Sequence, residues 1–318
     1  MSVLLALLVL VVGLVVLIAG AEMLVRGAAQ LARVLGMSAF AIGVTVVAFG
    51  TSAPELFASI GAAIQGEPEL AIGNVVGSNI ANILLILGLG ATIVPITVQR
   101  RVRFIELPIM LAITLLVTIT MLDHMITRVE GAMLLAGLFG YVWFIVRVHR
   151  VDIEHEGEEI VTHPKSVWVD LGFVLLGIVG LGLGAKGLVW GAKELAAHVG
   201  VSSGVVGATI VAFGTSLPEL AVTIRAACSK SSDMAVGNIV GSNVFNLLCV
   251  LGFTASIKPL SMQSVMDIHI WLMVGVSVLL VVLVLVRPKL GRLTGVLFFL
   301  VYVGYIAFSF MDTGLVPE

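Results

Sequence analysis

Two glutamates, Glu55 and Glu219, stand inside otherwise apolar stretches of the chain, each directly after a Gly-Thr-Ser-x-Pro sequence. The first stretch runs IGVTVVAFGTSAPEL, from Ile42 to Leu56, and continues to GNVVGSNIAN, from Gly73 to Asn82. The second runs VGATIVAFGTSLPEL, from Val206 to Leu220, and continues to GNIVGSNVFN, from Gly237 to Asn246. Matched positions are 164 apart, and an ungapped comparison of 42–82 with 206–246 gives 22 identities in 41 positions.

The residue types suit a hard cation. Thr51 and Ser52 precede Glu55 by four and three residues, a spacing that places them on one helix face. Ser78 and Asn82 are four apart and offer a second oxygen-bearing face. The other copy supplies Thr215, Ser216, Glu219, Ser242 and Asn246. All of these side chains offer oxygen, which Na⁺ and Ca²⁺ prefer, and none offers thiolate or imidazole. Pro54 and Pro218 cannot donate a backbone bond to Gly50 and Gly214, so each motif is expected to interrupt its helix. A carbonyl freed inside a membrane needs a partner, and a bound cation is one.

An ionised carboxylate at mid-membrane costs at least about 2.5–3.5 kcal/mol. Two facing carboxylates therefore recruit cations: one Ca²⁺, two Na⁺ or two H⁺ neutralise the pair. Occupied states can then cross the membrane while the empty, doubly charged state cannot. Ser, Thr and Asn often do no more than join membrane helices, and a lone glutamate can be a protonated packing residue. Symmetry-related glutamates behind identical breaks argue instead for a functional pair. Gly73, Gly77, Gly237 and Gly241 form two GxxxG pairs and read as close-packing positions.

These motifs need a membrane scaffold, and composition supplies it. Of 318 residues, 59% are hydrophobic and 11% charged, with a mean hydropathy of +1.18. Soluble domains carry about 25% charged residues. Ten apolar runs approach or exceed the roughly 20 residues that span hydrocarbon. They lie at about 4–24, 40–64, 70–96, 104–122, 131–146, 167–189, 204–228, 234–257, 268–286 and 293–310. Without strict alternation they read as helices, giving an all-α integral membrane fold of two inverted five-helix repeats.

The first repeat is assigned to residues 1–150 and the second to 167–318, with a polar cytoplasmic linker at 151–166. An odd helix count per half forces the second half to enter from the opposite side. Thirteen of the 17 basic residues fall on the side of loops 1–2, 3–4, 5–6, 7–8 and 9–10. The positive-inside rule then puts both termini outside the cytoplasm of a multi-pass cell-membrane protein. The first run lacks a positive leader and is longer than a signal-peptide core, so it is kept as a helix.

Cys228 and Cys249 fall within or at the end of spans and read as packing residues. Glu22 and Arg26 are expected to neutralise each other, and Glu106 and Asp267 to sit at helix starts. No zinc spacing, P-loop or dinucleotide fingerprint is present, and a net charge of −2 implies no nucleic-acid partner. No cofactor is expected beyond transported ions. A monomer is compatible with this reading, although the sequence sets no oligomeric state.

At AFGTSAPEL with GSNIAN, and AFGTSLPEL with GSNVFN, the chain resembles the cation/Ca²⁺ exchanger superfamily, in particular its prokaryotic sodium/calcium exchanger branch. The resemblance covers the full length. It implies Na⁺-driven Ca²⁺ extrusion by alternating access, with the first and sixth helices sliding across an eight-helix core, and no enzymatic activity. It makes Glu55 and Glu219 shared calcium ligands, assigns Thr51 and Thr215 to the central site and Ser52 and Ser216 to flanking sodium sites. Carbonyls of Ala48 and Ala212, with Ser78, Ser242, Asn82 and Asn246, complete the set.

Several members carry Asp where this chain has Asn246, which leaves stoichiometry, electrogenicity and K⁺ dependence open. Proton-coupled members usually carry an acid where this chain has Gly77 and Gly241, which favours Na⁺ as the driver. The competing readings are a proton-coupled cation antiporter and a cation channel.

Overall fold

Each predicted span that can be followed is a helix in the computed structural model, which describes residues 3–34, 36–148, 167–198, 212–229, 231–262 and 266–312. The predicted linker at 151–166 and the first part of the seventh span, to residue 211, lie outside the described residues. In chain order the helices are α1 (Val3–Val34), α2 (Phe40–Thr51), α3 (Ala53–Gln65), α4 (Pro68–Ile93), α5 (Val102–Thr120) and α6 (Arg128–Val148). The second half continues with α7 (Val167–His198), α8 (Ala212–Thr215), α9 (Leu217–Cys228), α10 (Ser232–Ile257), α11 (Met266–Val286) and α12 (Arg292–Asp312). Eight described helices are long and apolar enough to cross a membrane, and α2 with α3 makes a ninth, bent span.

Local chemistry sets the boundaries. Gly66, at φ +91°, closes α3 in the left-handed region, where glycine carries no Cβ penalty. Pro68 stands in the first turn of α4, where its missing N–H has no intrahelical acceptor to lose.

Four two-residue strands reveal the symmetry. β1 (Ile96–Thr97) pairs antiparallel with β4 (Lys289–Leu290), and β2 (Met125–Ile126) with β3 (Leu260–Ser261). Adding 164 carries Ile96 onto Leu260 and Ile126 onto Leu290. Exchanging the repeats therefore turns one clasp into the other, as a two-fold axis relating inverted halves requires. Ile96, Ile126, Leu260 and Leu290 are all buried in these clasps.

The helices carrying the duplicated motifs form the centre. The most apolar window of α10 is 100% buried and that of α4 78%, against 11% for α12 and 22% for α1. Close approach explains the second GxxxG pair: a Cβ on Gly241 would lie 2.6 Å from Val44 Cα, and one on Gly237 2.6 Å from the Phe40 carbonyl oxygen. For Gly73 and Gly77 the symmetry-equivalent partners, residues 204 and 208, lie outside the described residues.

A glycine pattern that the span assignment did not exploit joins α1 to α7. Gly13, Gly20 and Gly27 recur every seven residues, as do their counterparts Gly177, Gly184 and Gly191. A Cβ on Gly184 would sit 2.4 Å from the Leu17 amide nitrogen, and one on Gly20 2.7 Å from that of Leu181. The two long helices thus run antiparallel in backbone contact, a geometry that small residues permit in membranes.

Candidate functional site

The polar motifs meet where two broken helices pass the centre of the molecule. Ser52, at φ −83° and ψ 4°, separates α2 from α3, and Ser216, at φ −88° and ψ 4°, separates α8 from α9. The first break bends its span by 43°. Pro54 and Pro218 occupy the first turn of the helix that follows, where proline is tolerated. Thr51 and Glu55 therefore do not share one continuous helical face, as their spacing suggested. Thr51 ends one helix and Glu55 opens the next, and the interruption lies between them.

Each motif reaches across to the other repeat. The Ser52 hydroxyl donates to Glu219 Oε1 at 3.2 Å. Thr51 Oγ1 shares its one proton between Asn238 Oδ1 and the Ala48 carbonyl, each at 3.3 Å, and lies 3.4 Å from Ser242 Oγ. The hydroxyls of Thr215 and Ser216 lie beside the Glu55 carboxylate, and the two carboxylates are within electrostatic reach of each other. Thr51, Ser52, Glu55, Ser78, Asn82, Ser216, Glu219, Ser242 and Asn246 are all buried. Thr215 is half-buried.

The remaining predicted positions are less central. Ser78 lies one turn before Asn82 on α4, and Ala212 opens α8. The Ala48 carbonyl already accepts from the Ser52 N–H at 2.9 Å and from the Thr51 hydroxyl at 3.3 Å. An ion at that carbonyl would compete with the Thr51 bond.

The unsatisfied atoms define the chemistry. Glu55 Oε1 and Oε2, Glu219 Oε2, Asn82 Oδ1 and Asn246 Oδ1 are buried without a hydrogen-bond partner among the described residues. All five are acceptors. A buried acceptor without a donor costs about 1–3 kcal/mol, more when charged, so the group is built for something positive.

Residues outside the predicted set explain why the amides present oxygen. Asn82 Nδ2 donates to Asn243 Oδ1 at 3.0 Å, and Asn246 Nδ2 donates to Asn79 Oδ1 at 3.1 Å. Asn79 Nδ2 in turn donates to the Asn243 carbonyl at 3.3 Å. With the NH₂ of Asn82 and Asn246 engaged, each side chain leaves its oxygen free. A second symmetric pair holds the backbone after the breaks. Asn74 Nδ2 donates to the Glu55 carbonyl at 3.2 Å and to Ser59 Oγ at 2.9 Å. Asn238 Nδ2 donates to the Glu219 carbonyl at 3.4 Å and to Thr223 Oγ1 at 3.0 Å. The signal for these four asparagines was present in the sequence, since each recurs at the 164-residue offset.

Both Asn82 and Asn246 begin five- or six-residue π-helical segments, Asn82–Leu87 and Asn246–Val250. Such widened turns recur at functional sites. A small cavity touches Ser52 and is lined by Phe49, Ala53, Leu56, Phe245, Cys249 and Val250.

Two other acids can be placed. Glu22 pairs not only with Arg26 but also with Arg225 of α9. Glu106 stands at the start of α5, as expected, at the end of the π-helical turn Val102–Glu106, and is fully buried there.

Comparison with known proteins gives a consistent answer. The family described as sodium/calcium exchanger protein matches twice, at residues 5–147 and 169–311, repeating the 164-residue offset. The putative antiporter CaxA of Alkalimonas amylolytica is 36% identical over 266 residues, covering 80% of this chain and 83% of the relative. The sodium/calcium exchanger MaX1 of Methanosarcina acetivorans is 29% identical over 299 residues, covering 82% and 85%. The solved structure of the sodium-calcium exchanger NCX_Mj soaked with 10 mM Na⁺ and zero Ca²⁺ superimposes with a TM-score of 0.86 at 34% identity, covering 96% of this chain and 99% of that one. With the duplicated motifs, the crossed-over glutamates and both halves matched, the chain belongs to the sodium/calcium exchanger family.

Proposed function

We propose that the protein is a secondary antiporter that exchanges Na⁺ for Ca²⁺ by alternating access, and mainly extrudes Ca²⁺. The observation that carries this reading is the group of five unpartnered, buried acceptor oxygens on Glu55, Glu219, Asn82 and Asn246. Two carboxylates in a low-dielectric setting repel one another, and their interaction is stronger there than in water. One Ca²⁺ bridging Glu55 and Glu219 cancels that charge, and two Na⁺ do the same. The two occupancies exclude each other because they use the same carboxylates.

The hydroxyls of Thr51, Ser52, Thr215, Ser216, Ser78 and Ser242 and the amide oxygens of Asn82 and Asn246 complete the shells. The Ala48 and Ala212 carbonyls add backbone oxygens, that of Ala48 when an ion displaces the Thr51 hydroxyl. The inward Na⁺ gradient supplies the work, no cofactor takes part, and the protein catalyses no covalent chemistry. It resides in the cell membrane with both termini outside the cytoplasm, the orientation that the 13-to-4 division of basic residues favours.

The test is radioactive Ca²⁺ uptake into proteoliposomes loaded with Na⁺ and diluted into Na⁺-free buffer. Uptake that requires outward Na⁺ supports exchange. Uptake driven by a pH gradient alone makes the protein a proton-coupled antiporter, and unsaturable flux without a counter-ion makes it a channel.

A further inference from the structure

The repeats match in sequence but differ in how they are covered. α1 packs along α9, and Leu17, Leu24, Ala28, Leu217, Val222 and Met234 share one apolar cluster. Among the described residues no comparable contact joins α7 to α3. The consequence is visible at equivalent positions: Met234 is 0% exposed while Leu70 is 63% exposed. Val222 is likewise buried, whereas its counterpart Ala58 is exposed. Inverted repeats convert one access state into the other by exchanging the conformations of the two halves. In the exchanged state α1 leaves α9 uncovered and α7 closes on α3.

One ion pair belongs to the present state alone. Arg225 contacts the Glu22 carboxylate through both Nε and Nη2, the latter at 2.9 Å. The pair is partly shielded, with side chains 33% and 26% exposed. At the symmetry-equivalent positions stand Gly61 and Lys186, which cannot form an ion pair. The exchanged state therefore loses the bond and gains no equivalent. Arg26 also contacts Glu22 from within α1, so the carboxylate keeps a cation when Arg225 departs and release remains affordable during turnover. Arg225 also bonds Ser229 on its own helix.

We infer that Glu22 and Arg225 are positioning residues that set which membrane face has preferred access to the ion site. Arg225 follows Glu219 on the same helix by six residues, so the pair fixes the helix that carries one of the two carboxylates. The inference rests on the alternating-access reading. Partly exposed ion pairs are modest in strength, so losing this one should shift the balance of states by about twofold to fivefold.

The experiment uses Glu22→Gln, Arg225→Gln and the double variant, with Lys186→Gln as a control. Each is combined with a reporter, Met234→Cys or Leu70→Cys, in a chain carrying Cys228→Ser. The rate of thiol labelling in ion-free nanodiscs reports the covering of each half without requiring transport. Both single variants should speed labelling at position 234 and slow it at position 70, so that the ratio of the two rates rises by about twofold to fivefold. The double variant should shift no further than either single one, because the two residues act through one bond. Lys186→Gln should change neither rate.

Apparent Ca²⁺ affinities measured from the two faces of oriented vesicles should move in opposite directions. Unchanged labelling in folded single variants, or additive shifts in the double variant, overturns the inference. A parent protein that does not transport sinks the proposed exchange instead, and leaves the labelling result to decide the role of the pair.

Discussion

Replacing Asn79 with leucine tests whether the asparagines outside the ion site control what the site offers. Asn79 is buried, and its Oδ1 holds the Asn246 amide at 3.1 Å while its Nδ2 holds the Asn243 carbonyl at 3.3 Å. Leucine has the same branched heavy-atom skeleton and is larger, so none of the effect comes from a cavity. The Asn246 side-chain amide loses its partner while the Asn243 carbonyl keeps the Asn246 backbone N–H, for a destabilisation of about 1–3 kcal/mol. The freed Asn246 amide can recover a partner by rotating, which turns a donor toward the cation. Losing one oriented oxygen worth about 1.4 kcal/mol lowers affinity about tenfold. The assay is Ca²⁺-dependent uptake into Na⁺-loaded proteoliposomes, with size-exclusion profiles to confirm folding. Asn243→Leu should behave alike through Asn82, whose Nδ2 it holds at 3.0 Å. A folded Asn79→Leu protein with apparent Ca²⁺ affinity within twofold of the parent would refute the orientation argument.

Other consequences are measurable with the same material. Gly184→Ala brings a methyl 2.4 Å from the Leu17 backbone nitrogen, so it should lower thermal stability sharply or prevent folding. Gly140→Ala, with nothing described within 4 Å of the added methyl, should be neutral or stabilising by about 0.5–1 kcal/mol in a stability assay. Ca²⁺ or Na⁺, but not choline, should raise the melting temperature, since a ligand at 100 times its Kd contributes about 2.7 kcal/mol. Protons compete for the same carboxylates, so apparent Ca²⁺ affinity should fall as pH is lowered. A pH-independent affinity across the carboxylate range would contradict the two-glutamate site.

The sequence exposed the scaffold because membrane solvation writes helices as long apolar runs. It exposed Glu55 and Glu219 because carboxylates are expensive there and the repeat offset doubled the signal. Contacts between repeats were less legible. Periodicity suggested that Thr51 and Glu55 share one helical face, but the backbone breaks at Ser52 between them. The Asn82–Asn243 and Asn246–Asn79 bonds join residues 161 and 167 positions apart, which no local pattern encodes. Glu22 looked satisfied by Arg26, its neighbour one turn away, and only the packing of α1 on α9 brings in Arg225. The glycines spaced by seven on α1 and α7 were visible, but their meaning depends on the partner helix. Glu106 read as an acid at a helix start, but its depth depends on how α5 is packed, and in the fold it is fully buried.

The central claim is that Na⁺ and Ca²⁺ use the same two carboxylates in turn. Equilibrium binding of radioactive Ca²⁺ to the purified protein, titrated with Na⁺, tests it most directly, with Glu55→Gln and Glu219→Gln measured alongside. The account predicts complete displacement with a Hill slope above one, because more than one Na⁺ replaces each Ca²⁺, and loss of Ca²⁺ binding in both variants. Saturating Na⁺ that leaves Ca²⁺ bound, or a folded variant that binds Ca²⁺ with parental affinity, would contradict it.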